Sequence, residues 1–329
     1  MKTISIINFQ YRRPFIMCSS MQKRGVWTGL FLGVSATVGW GLFPLYWKQL
    51  GAVAPVEQLC HKILWSFVVA AIFITLQRRW GEIRQFASRP RRLVWFLISG
   101  ILITLNGFAF IYTVASGHVI ESSLGYYLTP LACVALGTLI LRERLRILQW
   151  TAVFLGIAGV MWLTFGYGHF PWLAMILCLS FGSYGLVRKI APADSLMGFF
   201  WETLFFSPVA AGVIIWLFLR GAGSFVYAGE RISLLLCLAG LVTALPRLWF
   251  AAAARRISMT SLGILEYTTP TLMFVLSVFT YHEHVTANHI IAFSLIWTGI
   301  GLYTIEPFTR ERGRQWSKAL SISSTGVRQ

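Results

Sequence analysis

The chain holds a single aspartate, Asp194, among eleven carboxylates, and charged residues make up 12% of its 329 positions. An ordinary soluble domain carries about 25% charged residues. At half that charge a folded surface of this size cannot be covered with ions. An aspartyl-phosphate pump and an intramembrane aspartyl protease are excluded by the aspartates they would need. No G-x-x-x-x-G-K-[ST] segment is present, so the chain has no phosphate loop of its own for ATP. The five cysteines (Cys18, Cys60, Cys133, Cys178, Cys237) are odd in number and scattered through apolar runs. They lack the paired spacing of a zinc site and read as small buried thiols. His282-Glu283-His284 is discounted as a zinc site, because three adjacent residues do not converge tetrahedrally. No metal, no cofactor and no catalytic residue is expected.

What is abundant is apolar: 57% hydrophobic residues, 15% aromatic, and a mean hydropathy of +0.69. Runs of about 20 apolar residues, the length that crosses a bilayer core, recur along the chain. Ten spans are predicted, near 26–47, 56–76, 93–114, 119–141, 147–165, 170–187, 196–219, 232–253, 259–281 and 287–307. Barrel strands would show short alternating segments, and none are visible. The expected fold is an all-α polytopic membrane protein, with the lipid bilayer as its first partner. Residues 1–21 read as a cytoplasmic extension; Met21, before Gln22-Lys23-Arg24, looks like a natural start. Residues 308–329 read as a basic cytoplasmic tail, expected to be disordered.

Orientation follows from Lys and Arg in alternate connections. Of the 28, 23 fall at the N-terminus, in 77–92, in 142–146, at Arg188-Lys189, at Arg255-Arg256 and in the tail. Only Lys48, Arg220 and Arg231 fall in the opposite set, and Lys62 and Arg247 lie inside spans. Both termini are therefore expected in the cytoplasm. The formal charge of +17 is a topology signal, with no nucleic acid as partner.

The chain also repeats itself. Ser123-Leu124-Gly125, Thr129-Pro130 and Glu143 recur as Ser261-Leu262-Gly263, Thr269-Pro270 and Glu283, offset by 138 to 140 residues. Ala54-Pro55 recurs as Ala191-Pro192. The halves are 22–165 and 166–307, with five spans each. An odd number of spans turns the second half upside down, which makes the inverted repeat of alternating-access transporters.

Three segments narrow the reading: His61-Lys62-Ile63-Leu64-Trp65-Ser66, Glu121 to Tyr127, and Ser180 to Lys189. With Gly263 to Phe274 they resemble the RarD branch of the EamA, or drug/metabolite transporter, superfamily, over roughly residues 22–307. That family usually has Arg after the span-two histidine, where this chain has Lys62. The resemblance implies a plasma-membrane permease exporting amino acids or related metabolites, with proton coupling as an option. It does not identify the substrate.

Ionisable groups inside spans are functional candidates by default. Glu57, His61 and Trp65 share one face of span two by their spacing of four, with Lys62 beside them. The cations His61 and Lys62 suit a substrate carboxylate; the competing readings are pairing with Glu57, or snorkelling of Lys62 to the interface. Glu202, seven residues into span seven, is the candidate proton carrier; the alternative is a fixed pair with Arg247 or Lys62. Arg247 offers bidentate carboxylate binding, and Asn106 stands at the equivalent place in span three. Tyr126, Tyr127, Tyr267 and Glu266 lie near the helix-weakening Pro130 and Pro270. Glu121 reads as a helix-start residue first and a site residue second.

The substrate-binding set is thus His61, Lys62, Trp65, Asn106, Tyr126, Tyr127, Arg247 and Glu266, with Glu202 for proton coupling. Trp40, Trp65, Trp201 and Trp249 are considered as an aromatic lining, although packing explains most tryptophans as well. Gly25, Gly29 and Gly33 allow a close helix approach, within the monomer first and in a homodimer second. Glu143 and Glu283 are expected to pair locally, with Arg144 or His284. The rival classes are a receptor or scaffold and an intramembrane enzyme built on Ser183, which has no histidine at plausible depth.

Overall fold

The computed structural model describes residues 19–115, 119–165 and 172–281, with separate helical positions between 288 and 302. No strand occurs among the described residues. The helices run α1 (Ser19–Gly41), α2 (Phe43–Trp47), α3 (Pro55–Leu76), α4 (Trp80–Ala87), α5 (Pro90–Ala115) and α6 (Val119–Leu139). They continue as α7 (Ile147–Phe165), α8 (Trp172–Ile190), α9 (Ser195–Leu219), α10 (Glu230–Ala254), α11 (Met259–Glu266) and α12 (Thr268–Tyr281). Six of the described segments are long and apolar enough to cross a membrane: Gly25–Leu50, Pro55–Leu76, Pro90–Phe110, Trp172–Ile190, Ser195–Leu219 and Glu230–Ala254. Most of the predicted tenth span, residues 1–18 and the basic tail lie outside the described residues.

Three local departures from expectation have physical causes. Span one bends at Leu42, because Pro44 opens α2 and cannot donate to the carbonyl four residues back. The basic 77–92 connection, read as a loop, contains the short amphipathic helix α4, which buries Ile83. Span nine arrives as two helices, α11 and α12, interrupted at Tyr267. Pro270 has no N–H for the Glu266 carbonyl, and the helix gives way there. Pro130, its counterpart, sits inside an uninterrupted α6, as do Pro208 in α9 and Pro246 in α10. At Pro208 the freed Leu204 carbonyl accepts the Ser207 hydroxyl at 3.1 Å.

The packing follows the repeat. Exchanging the halves pairs α1 with α8, α3 with α9, α5 with α10, and α6 with α11–α12. Under that exchange α6 on α8 becomes α11–α12 on α1, and both contacts are present. Likewise α3 on α10 becomes α9 on α5, and α1 on α10 becomes α8 on α5. The contacts α3 on α9 and α6 on α11 map onto themselves.

Glycines set these approaches, since apolar surface gains little by leaving lipid and close packing must supply the attraction. A Cβ on Gly240 would lie 2.3 Å from the Trp65 carbonyl carbon, and one on Gly100, 140 residues earlier, 2.7 Å from Phe206. Gly29 and Gly33 meet Ile257 and Leu265 of the same chain, so this part of the glycine stripe packs within the monomer. Aromatic residues fill the centre. Trp40 packs with Phe181 and Phe250, while Trp201 lies against Phe200 and Phe205. Trp249 packs against the cluster around Phe250 and Tyr184.

Candidate functional site

α9 carries Glu202 to the interior, where it is 2% exposed. Arg247 of α10 donates Nη2–H to Glu202 Oε2 at 2.8 Å. Ser99 of α5 donates its hydroxyl to Oε1 at 2.6 Å, and Arg188 Nη1 of α8 lies 3.4 Å from the same oxygen. Arg188 is 1% exposed, although its position at the basic end of α8 reads as an ordinary loop cation. It turns inward because Gly198 leaves room: a Cβ there would lie 1.6 Å from Arg188 Nη1. Its Nη2 donates to the carbonyls of Ser195, at 2.9 Å, and Asp194, at 3.4 Å. Arg247 lies over the Phe199 and Tyr184 rings at 4.9 and 5.8 Å, and Arg188 over Phe96 at 5.9 Å. Such contacts partly replace the lost hydration of buried guanidinium groups. The pair of Glu202 with Arg247 was legible in the sequence; Arg188, Ser99 and Gly198 were not.

Lys62 of α3 is half-buried and has no ion pair among the described residues. Its ammonium lies against Gly107 of α5, 3.9 Å from where a Cβ would stand, and Arg247 is its electrostatic neighbour. Lys62 and Glu202 are 140 residues apart, as are Gly107 and Arg247. One half therefore places a cation against a glycine where the other places a carboxylate against an arginine.

The rest of the span-two stripe looks elsewhere. Glu57 Oε1 accepts from the backbone N–H groups of Ser224, at 2.7 Å, and Phe225, at 3.0 Å, tying α3 to the α9–α10 connection. His61 Nε2 stands 3.9 Å from Glu57, its ring 4.8 Å from that of Phe225, and its Nδ1 accepts from Trp65 Nε1 at 3.3 Å. His61 is thus engaged with Trp65 and with this connection, and Trp65 lies against Gly240 of α10. Asn106 uses its amide donors on the Leu177 carbonyl, at 2.9 Å, and Ser180 Oγ, at 3.1 Å, joining α5 to α8. Tyr126 is half-buried beside Phe110. Tyr127 is buried in a small core with Val160, Ile264 and Tyr267. Glu266, the last residue of α11, is 6% exposed, and its Oε1 has no hydrogen-bond partner among the described residues. The side chains of Glu121 and Glu283 lie outside the described residues.

The basic end is closed by one ion pair between the halves and by contacts within the second half. Arg79 bridges Glu82 at 2.7 Å and Asp194 at 2.6 Å, and its hydrogen bonds hold the Glu82 carboxyl below the usual carboxylate range. The lone aspartate also caps α9, accepting from Met197 N at 2.8 Å. Lys189 donates to the Ala254 and Ile257 carbonyls, and Arg255 to those of Ala191 and Ala193.

The local pair expected for Glu143 is replaced by a long-range cap. Its carboxylate accepts from Met259 N at 2.7 Å, Thr260 N at 3.0 Å and Thr260 Oγ1 at 2.8 Å, at the start of α11. These orphan donors and the helix dipole attract a carboxylate more strongly than an exposed neighbouring arginine does. Glu143→Ala should destabilise the protein by about 1–2 kcal/mol, read as a lower thermal midpoint in detergent; an unchanged midpoint would remove the cap from the account.

The family model for the EamA-like transporter family matches residues 27–165 and again 171–305. An "Uncharacterized transporter" of Vibrio cholerae is 41% identical over 84% of this chain and 92% of its own length. "Protein RarD" of Streptomyces exfoliatus is 37% identical over 92% of this chain and 97% of its own. "Protein RarD" of Escherichia coli is 36% identical over 86% and 96%. A solved crystal structure covering 84% of this chain and 97% of its own shares the fold, with a TM-score of 0.63 at 20% identity. The chain is a polytopic membrane transporter and belongs to the EamA-like transporter family, in its RarD branch.

Proposed function

We propose that the protein is a secondary active transporter of the plasma membrane for a small amphipathic metabolite bearing a carboxylate, an amino acid or a close relative. The two inverted halves alternate access to one central site, both termini are cytoplasmic, and flux is coupled to protons. One observation carries the substrate class: Arg188 and Arg247 share a single carboxylate, Glu202, and Lys62 is a further cation beside Arg247. A buried excess of positive charge is costly in a membrane interior. A substrate carboxylate supplies the missing charge. Lys62, having no ion pair among the described residues, is the cation that would take it, and the Tyr184 and Phe199 rings beside Arg247 suit an apolar substrate body.

The test is counterflow in proteoliposomes with labelled L-phenylalanine, and with phenethylamine as the analogue lacking the carboxylate. Wild-type protein should exchange the first and not the second. Lys62→Met should reduce exchange roughly tenfold or more, equivalent to about 1.4 kcal/mol, while thermal stability holds, since no ion pair is broken. Equal exchange of both compounds, or full exchange by the variant, would overturn the carboxylate reading. Absence of exchange by folded wild-type protein across a broader panel of carboxylates would favour a receptor or scaffold.

A further inference from the structure

Three carboxylates are buried in the described interior; Glu57 is held by the Ser224 and Phe225 N–H groups, and the other two differ in what surrounds them. Glu202 meets two guanidinium groups and a hydroxyl. Glu266 meets no cation within ion-pair distance among the described residues, and its buried Oε1 accepts no hydrogen bond. The contrast lies in geometry. Glu202 is provisioned as an anion, whereas an ionised Glu266 would be a buried charge with no ion-pair partner among the described residues.

The backbone at Glu266 adds to the mismatch. Pro270 cannot donate to the Glu266 carbonyl, so the residue ending α11 presents a backbone acceptor without its helical donor beside an unmet side-chain acceptor. A proton on the carboxyl removes the charge and turns one acceptor into a donor.

The elements packed against α11 and α12 bring no compensating cation. From α6, Tyr126 and Cys133 are its electrostatic neighbours. Between residues 25 and 41, α1 carries no ionisable side chain. The cations of α8 and the inward arginine of α10 are committed: Arg188 and Arg247 to Glu202, Lys189 to the Ala254 and Ile257 carbonyls. Tyr184, on α8, stacks on Phe250, and α12 contributes no acid or base other than its terminal Tyr281.

We infer that Glu266, at the α11–α12 interruption, is the proton-carrying residue of the transport cycle, while Glu202 serves as the counter-charge that holds Arg188 and Arg247 in the substrate site. This rests on the transporter reading above and assigns its coupling step. The carboxyl O–H bond at Glu266 breaks when the site opens to water on one face, releasing one proton. A proton taken from water on the other face restores it, and the helix interruption supplies the local freedom to change surroundings.

The first experiment needs no substrate: infrared difference spectroscopy of purified protein in nanodiscs, between mildly acidic and strongly alkaline pH. Wild type should show a buried, protonated carboxyl C=O band that disappears in Glu266→Gln and shifts in Glu266→Asp. Persistence of the band in folded Glu266→Gln overturns the assignment, whatever the substrate proves to be. The second uses proteoliposomes and labelled L-phenylalanine. Glu266→Gln should lose accumulation driven by a pH gradient, and whatever counterflow it retains should no longer vary with pH. Retained gradient-driven accumulation overturns the coupling role. Loss of counterflow together with the infrared band would make Glu266 a protonated substrate ligand and overturn its role as carrier.

Discussion

Glu202→Gln should cost the folded protein about 3–5 kcal/mol, because it leaves Arg188 and Arg247 buried with no counter-charge. Glutamine keeps the shape, so the loss is electrostatic. The buried thiols Cys60, Cys133 and Cys178 report it: a thiol-reactive dye should label them at a markedly lower temperature in the variant. The compensated variant Glu202→Leu, Arg188→Met, Arg247→Met should regain most of that stability and lose transport, since apolar replacement of a whole buried ion cluster is close to neutral. An unchanged unfolding midpoint in Glu202→Gln would mean that water or another group already compensates the arginines.

Gly240→Ala is the second large effect. The new methyl would lie 2.3 Å from the Trp65 carbonyl carbon and 2.5 Å from its oxygen. These are backbone atoms of α3, and no rotamer change relieves the overlap. The helices α3 and α10 must separate, at a cost near the upper end of the 1–3 kcal/mol range for overpacking, or about 3 kcal/mol. Gly212, in α9, has nothing within 4 Å of an added Cβ, so Gly212→Ala should be neutral or gain up to about 1 kcal/mol from helix propensity. Thermal midpoints of the two variants side by side separate contact from propensity. Equal midpoints would contradict the described approach of α3 and α10.

Much of this architecture was legible in the residues. The apolar runs mark the spans, and the recurrence of Ser-Leu-Gly and Thr-Pro with a distant Glu marks the repeat; helix packing follows it. At the site, the pairing of Glu202 with Arg247 was readable because both are ionisable inside spans. Arg188 was not, because two residues from a helix end a long cation ordinarily reaches water, and only the missing Cβ of Gly198 turns it inward. Glu143 was misread for a similar reason: its partners are backbone N–H groups more than a hundred residues away, and backbone donors carry no residue signature. The prolines show the limit of a local rule. Pro130 and Pro270 are alike in sequence, and surrounding contacts decide which helix breaks.

The inward turn of Arg188 also bears on how the chain enters the bilayer. The α8–α9 hairpin carries Arg188 just before its turn and Glu202 just after it, and the only residues between them that carry formal charge are Lys189 and Asp194. In the orientation proposed above, the basic pair at the end of α8 acts during synthesis as a retention signal that keeps this turn on the side where it is made. Once α9 is complete, the same Arg188 neutralises Glu202, the acidic residue that α9 must otherwise carry alone into hydrocarbon. The hairpin can therefore settle into lipid as a charge-balanced unit before α10 arrives with Arg247. The site's surplus positive charge then comes into being only when α10 brings Arg247 to Glu202 and the second half closes on Lys62.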